Sequence, residues 1–354
     1  MTLRVVVWGP GNVGRSAVRG VARNPALDLV GVIAHNPDKA GVDPGTLAGI
    51  EPLGLRVTLD TDVLHTLLPD ALVYAVNSDF RPQESIAECC AALEAGINVV
   101  AVGLYGLMHP PSADPKLRKR FDEACRRGGS SFFASGIDPG FAMDLLPVVL
   151  SGVCQEIREI RIREIFNYAH YDQPQAVKTL VGMGMAMEQT PPMLHPAALE
   201  GVWGGVLREL GEALDAPVES IQTQVEKHAL EETVTNAMGT FAKGSLGAFR
   251  FEVQAIVRGE IRFVVEHITR ICDTTAPQWP KPDRQGCHQI LISGHPEIVL
   301  TFEAEDSQGN HAGGGNAAAA GRIVNAIPRV CAAAPGLLTS RDLPLIPGVG
   351  LIPG

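Results

Sequence analysis

The sequence predicts an α/β chain in two parts. The first is an N-terminal parallel sheet with helices on both faces; the second is an α+β part with a mostly antiparallel sheet, from which a C-terminal helix returns to the first. Three observations predict this. The apolar run Leu3–Trp8 empties into a glycine-rich turn and an amphipathic helix. Strand and helix patterns then alternate to about residue 145. Beyond about residue 150 the apolar period becomes two, with tight turns between the runs.

The first turn is Gly9-Pro10-Gly11-Asn12-Val13-Gly14, a G-x-G-x-x-G sequence followed by Arg15. Gly9 permits the tight turn, Gly11 lets the backbone approach a diphosphate, and Gly14 lets helix and strand pack closely. The phosphates would rest on the helix N-terminus, where unpaired N–H groups point at them. A second strand over 27–34 completes the βαβ unit, so the N-terminal part reads as a Rossmann domain. The tip of that strand is Ala34-His35-Asn36-Pro37-Asp38-Lys39. An NAD site usually carries an acid there for the ribose 2′-hydroxyl. Here His35, Asn36 and Lys39 offer donors to a 2′-phosphate, and Asp38 is read as facing solvent. NADP is therefore expected, with NAD less favoured. A strand over 71–76 ends at Asn77 and Ser78, which join the cofactor candidates because ligands lie at the carboxyl ends of such strands. Next come a helix over 83–95, a strand over 98–102, a basic helix from Asp114-Pro115 to Gly128-Gly129, and a strand over 131–134. In the turn Gly136-Ile137-Asp138-Pro139-Gly140, a proline at a first helical position makes Asp138 a predicted N-cap.

In the second part, strands are predicted over 157–165, 249–257, 261–271, 288–293 and 297–304, and helices over 174–188 and 196–214. A helix over 316–333 follows, then an extended tail holding Pro335, Pro344, Pro347 and Pro353. The domains read as 1–145 with 312–354 for a dinucleotide, and 146–311 for substrate binding and dimerisation.

Composition sets the outer bounds. The chain of 354 residues is 45 % hydrophobic and 19 % charged, as ordinary soluble proteins are. Its net charge of −10 argues against a nucleic-acid surface. The seven cysteines show no C-x-x-C spacing, so neither a zinc site nor a disulfide framework is expected. The longest apolar stretch, near 145–153, falls short of the ~18 residues a spanning helix needs. With a strand predicted from residue 3, no signal peptide is expected, and a cytoplasmic location follows.

Two loops carry the chemistry. Tyr105 and His109 lie at the carboxyl end of the strand over 98–102. Glu164, Asn167, Tyr168, His170, Tyr171 and Asp172 cluster at the end of the first strand of the second part. Tyr105, Glu164 and Tyr168 are the candidates for proton transfer or for polarising a C=O or C=N bond. His109, Asn167, His170 and Tyr171 are the candidates for reading substrate. His228, His267, His288, His295 and His311 lack metal-ligand spacing and are read as structural or exposed, so no metal is expected.

The whole chain resembles the dihydrodipicolinate reductase-like oxidoreductases, and within them the branch of 2,4-diaminopentanoate dehydrogenase and the native amine dehydrogenases. The likeness rests on Val7-Trp8-Gly9-Pro10-Gly11-Asn12-Val13-Gly14, Asn98-Val99-Val100, Gly136-Ile137-Asp138-Pro139-Gly140-Phe141, Asn325-Ala326-Ile327-Pro328, Ala334-Pro335-Gly336-Leu337 and Asp342-Leu343-Pro344. It implies a homodimer that reduces imines, or oxidises amines, with NAD(P)H; the preferred reading is an NADP-dependent oxidoreductase that moves hydride between nicotinamide and a small, largely apolar ketone, imine or amine. It also implies an acidic pair, in a C-E-E-L-x-Y-P pattern, where this chain has Leu104-Tyr105-Gly106-Leu107-Met108-His109-Pro110. Tyrosine titrates near pH ~10 and replaces a glutamate poorly as a base. A second reading is therefore open: a catalytically silent nucleotide-binding sensor or partner-binding subunit.

Overall fold

The computed structural model describes residues 2–171 and 173–352. Asp172 of the polar cluster and Pro353 of the tail lie outside the described residues. The first sheet is parallel throughout. Its strands are β1 (Leu3–Trp8), β2 (Leu27–Ile33), β3 (Ala71–Tyr74), β4 (Asn98–Ala101), β5 (Ser131–Ala134) and β14 (Gly336–Leu338). They lie in the order β14-β5-β4-β3-β1-β2. Helices cover both faces, so β1 is apolar without a break from Val5 to Trp8, and Val5, Val6 and Val7 are fully buried. The helix Pro115–Gly128 starts on the Asp114 carboxylate, which accepts from the Lys116 and Leu117 N–H groups, and stops at the left-handed Gly129. Ala320, Ile323, Val324 and Ile327 of the helix His311–Ala332 pack into the core of Val5, Val7, Val18 and Val21. The tail is not wholly extended coil, because β14 adds a strand to the sheet edge beside β5.

The second sheet has the order β13-β12-β6-β11-β10-β7. These strands are β6 (Glu156–Asn167), β7 (Ser220–Ala229), β10 (Leu246–Val257), β11 (Glu260–Arg270), β12 (Gly286–His295) and β13 (Ile298–Phe302), with β8 (Val234–Asn236) and β9 (Gly239–Phe241) as a separate pair. Every pairing in it is antiparallel except β6 with β11. Alternation along β6 sends Ile160, Ile162 and Glu164 to one face and Arg161 and Arg163 to the other. On that second face Arg161, Arg163 and Arg250 surround Glu266, which is fully buried.

Two helix predictions need correction. The helix expected over 174–188 stops at Thr179, because Gly182 and Gly184 adopt left-handed φ of 83° and 86° that break the repeat. No helix starts at Pro139, so Asp138 is not an N-cap; the next helix is Leu146–Ser151. The Asp138 carboxylate has other partners, described below. Met1–Ile137 with Asn316–Gly354 form one compact unit and Asp138–Gly315 the other.

Candidate functional site

In the first unit the glycine turn has the shape the sequence requires. A Cβ on Gly9 would sit 2.8 Å from the Val76 nitrogen, and one on Gly14 would sit 2.0 Å from the Gly9 carbonyl oxygen. Both positions are closed by backbone. A Cβ on Gly11 would meet nothing within 4 Å, so that glycine keeps open the space in front of the helix Asn12–Arg23. Arg15 donates to the Asn12 carboxamide oxygen at 2.7 Å, and Val13 packs against the core. A cradle with a backbone-lined rear, a vacant front and a helix N-terminus fits a dinucleotide diphosphate.

The strand tip differs from its sequence reading in one respect. His35 and Asn36 are exposed, and the Asn36 side chain accepts from the Asp38 N–H. Lys39 donates to the Pro10 carbonyl at 2.7 Å, and burial together with nearby Arg15 lowers the pKa of its ammonium. The sequence showed no acid here, but the fold brings one. Glu88, from the helix Pro82–Glu94, lies 3.2 Å from His35 Nε2 and 3.1 Å from Arg81 Nη2. Asn77 turns its side chain back onto the Asp79 N–H, and the Ser78 hydroxyl accepts from the Leu104 N–H. Tyr105 begins a short 3-10 turn, Tyr105–Leu107. His109 is buried, 3 % exposed, with Nδ1 2.8 Å from the Ser112 hydroxyl.

In the second unit, strand register builds a site that the sequence pattern did not show. Glu164 on β6 is paired with His267 on β11 and with His288 on β12, so three neighbouring strands place these side chains in one row. Asp138 joins the row from the turn after β5. His267 Nε2 lies 3.1 Å from Asp138 Oδ2, and its Nδ1 lies 3.3 Å from Glu164 Oε1. His288 Nε2 lies 3.5 Å from Asp138 Oδ2 and 3.3 Å from Glu164 Oε2. Asp138 Oδ1 accepts from Trp203 Nε1 at 2.9 Å. Phe251 stacks on the His267 ring at 4.6 Å, and Phe166 and Phe302 flank His288. All four polar residues are buried or nearly so. Asp138 Oδ2, His267 Nε2 and His288 Nε2 lack an aligned hydrogen bond, so the contacts are ion pairs around a shared polar centre.

Burial opposes charge on each imidazole, yet Asp138 and Glu164 overcome it and raise His267 to about 10 and His288 to about 9. Burial likewise opposes charge on Asp138, but the two imidazoles hold its carboxyl well below the usual carboxylate range. The signs fix a pH window. The imidazolium contribution to stability is complete below the unfolded value of 6.5 and drains away as the pH rises through 9 to 10. The Asp138 contribution is complete above its unfolded value of 3.8 and is lost as the pH falls. The thermal midpoint should therefore decline between neutral pH and about pH 10, and more steeply in the unmodified protein than in His288→Gln. Parallel declines would remove the imidazolium from the account.

The remaining candidates separate from this row. Tyr168 and Tyr171 stack on each other, ring centroids 4.5 Å apart and planes 5° from parallel, and Phe166 meets the edge of Tyr168. Asn167 points to the opposite side of β6 from Glu164 and donates to Asp273 at 2.7 Å. His170 is exposed. Among the described residues of the sequence-predicted cluster, Glu164 alone reaches the buried row. His267 and His288, read from sequence as structural or exposed, are its partners. Three of its members, Asp138, Glu164 and His288, also form a set whose ligand atoms lie within 4.8 Å of one another.

Residues 141–350 match the family of 2,4-diaminopentanoate dehydrogenase C-terminal domains. An amine dehydrogenase of Streptomyces virginiae is 45 % identical over 352 residues, 98 % of each chain. The 2,4-diaminopentanoate dehydrogenase of Acetoanaerobium sticklandii is 23 % identical over 365 residues, covering 97 % of this chain and 94 % of its own. The solved structure of an amine dehydrogenase from Mycobacterium smegmatis shares the fold, with a TM-score of 0.77 at 23 % identity over 98 % of this chain and 97 % of that one. The glycine cradle and the kinship point the same way: the chain belongs to the amine dehydrogenase family that shares the 2,4-diaminopentanoate dehydrogenase C-terminal domain, and it is an NAD(P)-dependent oxidoreductase.

Proposed function

We propose that the protein interconverts a small, largely apolar ketone and the corresponding amine, with ammonia as co-substrate and NADP as the preferred cofactor. One observation carries the reading. The loop 104–110 has no glutamate, whereas the second unit holds two buried carboxylates, Glu164 and Asp138, in contact with two imidazoles. Carbon–nitrogen redox chemistry needs a group that takes a proton from ammonium and returns one to the departing hydroxyl of the carbinolamine. A carboxylate does this at neutral pH; a tyrosine is too weak a base.

In this reading Gly9, Gly11, Asn12, Val13, Gly14 and Arg15 hold the diphosphate. His35, Asn36 and Lys39 face the adenosine end, and Asn77 and Ser78 line the strand ends beyond. The nicotinamide, when bound, gives or takes the hydride. Glu164 moves the proton, and His267 and His288 fix the orientation of its carboxylate while Asp138, anchored by Trp203, fixes theirs. Tyr105 and Tyr168 act as donors that polarise the C=O or C=N bond. His109, Asn167, His170 and Tyr171 shape the pocket. Met1–Ile137 with the C-terminal segment serves the cofactor, and Asp138–Gly315 serves the substrate and dimerisation. The face of the second sheet bearing Arg161, Arg163, Arg250, Glu252 and Glu266 carries both charges in alternation, which suits a second copy of the same face in a two-fold homodimer. Among the described residues no helix is long and apolar enough to cross a membrane, and a cytoplasmic enzyme is part of the proposal.

The test is NADPH consumption with a panel of small ketones. It should depend on added ammonium; consumption that ignores ammonium overturns the amine reading.

A further inference from the structure

The buried row of the second unit has a property that proton transfer does not use. Three of its residues, all within Asp138–Gly315, turn a polar atom toward one common point. Asp138 Oδ1 is taken by Trp203 Nε1 at 2.9 Å, which leaves Oδ2. Glu164 Oε1 faces His267 Nδ1 at 3.3 Å, which leaves Oε2. The third atom is His288 Nε2, 3.5 Å from Asp138 Oδ2 and 3.3 Å from Glu164 Oε2. The side chains of Asp138 and His288 are only 2 % and 7 % exposed, yet neither Oδ2 nor Nε2 has an aligned hydrogen bond. His267 Nε2 also approaches Asp138 Oδ2, at 3.1 Å, so one imidazole touches both carboxylates.

Polar atoms that meet in the interior without bonding one another call for a shared partner. Their spacing selects it. Zinc holds nitrogen and oxygen ligands at about 2.0–2.1 Å in a tetrahedron, whose edges are then about 3.3–3.4 Å long. The two edges at His288 Nε2, 3.3 and 3.5 Å, have that length. Ligand atoms of all three residues lie within 4.8 Å of one another. A set that includes an imidazole suits zinc, whereas calcium and magnesium are held by oxygen ligands. One divalent cation also balances the two buried carboxylates while both imidazoles stay neutral.

We propose that Asp138, Glu164 and His288 form a Zn²⁺ site, with Trp203 and His267 orienting the two carboxylates, and that Zn²⁺ bound there stops turnover by occupying the Glu164 carboxylate. The second half rests on the proposed role of Glu164; the first half does not. The ligands come from the turn after β5 and from strands β6 and β12, so no local spacing in the sequence announces them.

Calorimetric titration of the chelator-stripped full chain with ZnCl₂, without cofactor or substrate, tests the site. One Zn²⁺ should bind per chain with a Kd of about 1 μM or tighter. Asp138→Asn, Glu164→Gln and His288→Gln should each weaken binding by about 100-fold or more. Glu212→Gln, which removes an exposed carboxylate of the same unit, should change nothing. Zinc-edge X-ray absorption of the unmodified protein needs no variant to fold. It should show nitrogen and oxygen neighbours at about 2.0–2.1 Å and no sulfur at about 2.3 Å. Sulfur neighbours, binding only at millimolar Zn²⁺, or full affinity in His288→Gln overturns the site and leaves the amine reading untouched. So does a loss in Glu212→Gln equal to that in the three ligand variants. With the site shown, saturating Zn²⁺ in a non-chelating buffer should abolish NADPH consumption with ketone and ammonium. Unchanged consumption would overturn the inhibition and the role given to Glu164, but not the site.

Discussion

Gly11→Val should abolish binding of both nicotinamide cofactors while leaving the protein folded. The reason is local. A Cβ at Gly11 meets no protein atom within 4 Å, and the residue's φ is negative, at −85°. Any loss therefore comes from the space that the diphosphate would fill. Affinity should fall by two orders of magnitude or more, with the unliganded thermal midpoint unchanged. Gly14→Val should behave differently, because its Cβ would lie 2.0 Å from the Gly9 carbonyl oxygen and the βαβ unit itself would have to move. Gly11→Val that binds NADPH normally would remove the diphosphate from this turn.

The second large effect belongs to Glu164. Glu164→Gln keeps the shape of the side chain and removes its capacity to take a proton. Turnover should fall about 100-fold or more, in the range that general acid–base groups supply, while cofactor affinity, which the proposed function assigns to the glycine turn, stays as it was. Glu164→Asp should recover part of the rate. Tyr105→Phe is the comparison: under this account it costs much less than Glu164→Gln. A large loss in Tyr105→Phe with Glu164→Gln nearly intact would return the proton to the loop 104–110.

The fold was legible where local pattern and final environment agree. Val5–Trp8 is an unbroken apolar run because that part of β1 is buried on both faces, and the G-x-G-x-x-G turn needs only neighbouring residues to define it. The hairpin β10–β11 showed in its period-two alternation. The site was less legible, because its register is set by pairing between distant strands. Glu164 was visible as an acid near a strand end, but nothing local joins it to His267 or His288. A parallel pairing with β11 and an antiparallel one with β12 bring them side by side. Asp138 was misread for a similar reason: a proline after an acid resembles a helix start, and the tertiary partners Trp203 and His267 decided otherwise. Glu88 and Arg81 were missed at the strand tip because they arrive from a helix beyond β3. An inward-facing histidine on each of two predicted strands was the one available signal for the row.

The most direct test of the central claim is the fate of isotopically labelled ammonium when the protein is given NADPH and a small aliphatic ketone. The account predicts a primary amine that carries the labelled nitrogen, formed in step with NADPH oxidation and reduced about 100-fold or more in Glu164→Gln. An alcohol as the product, with no label incorporated, would contradict it.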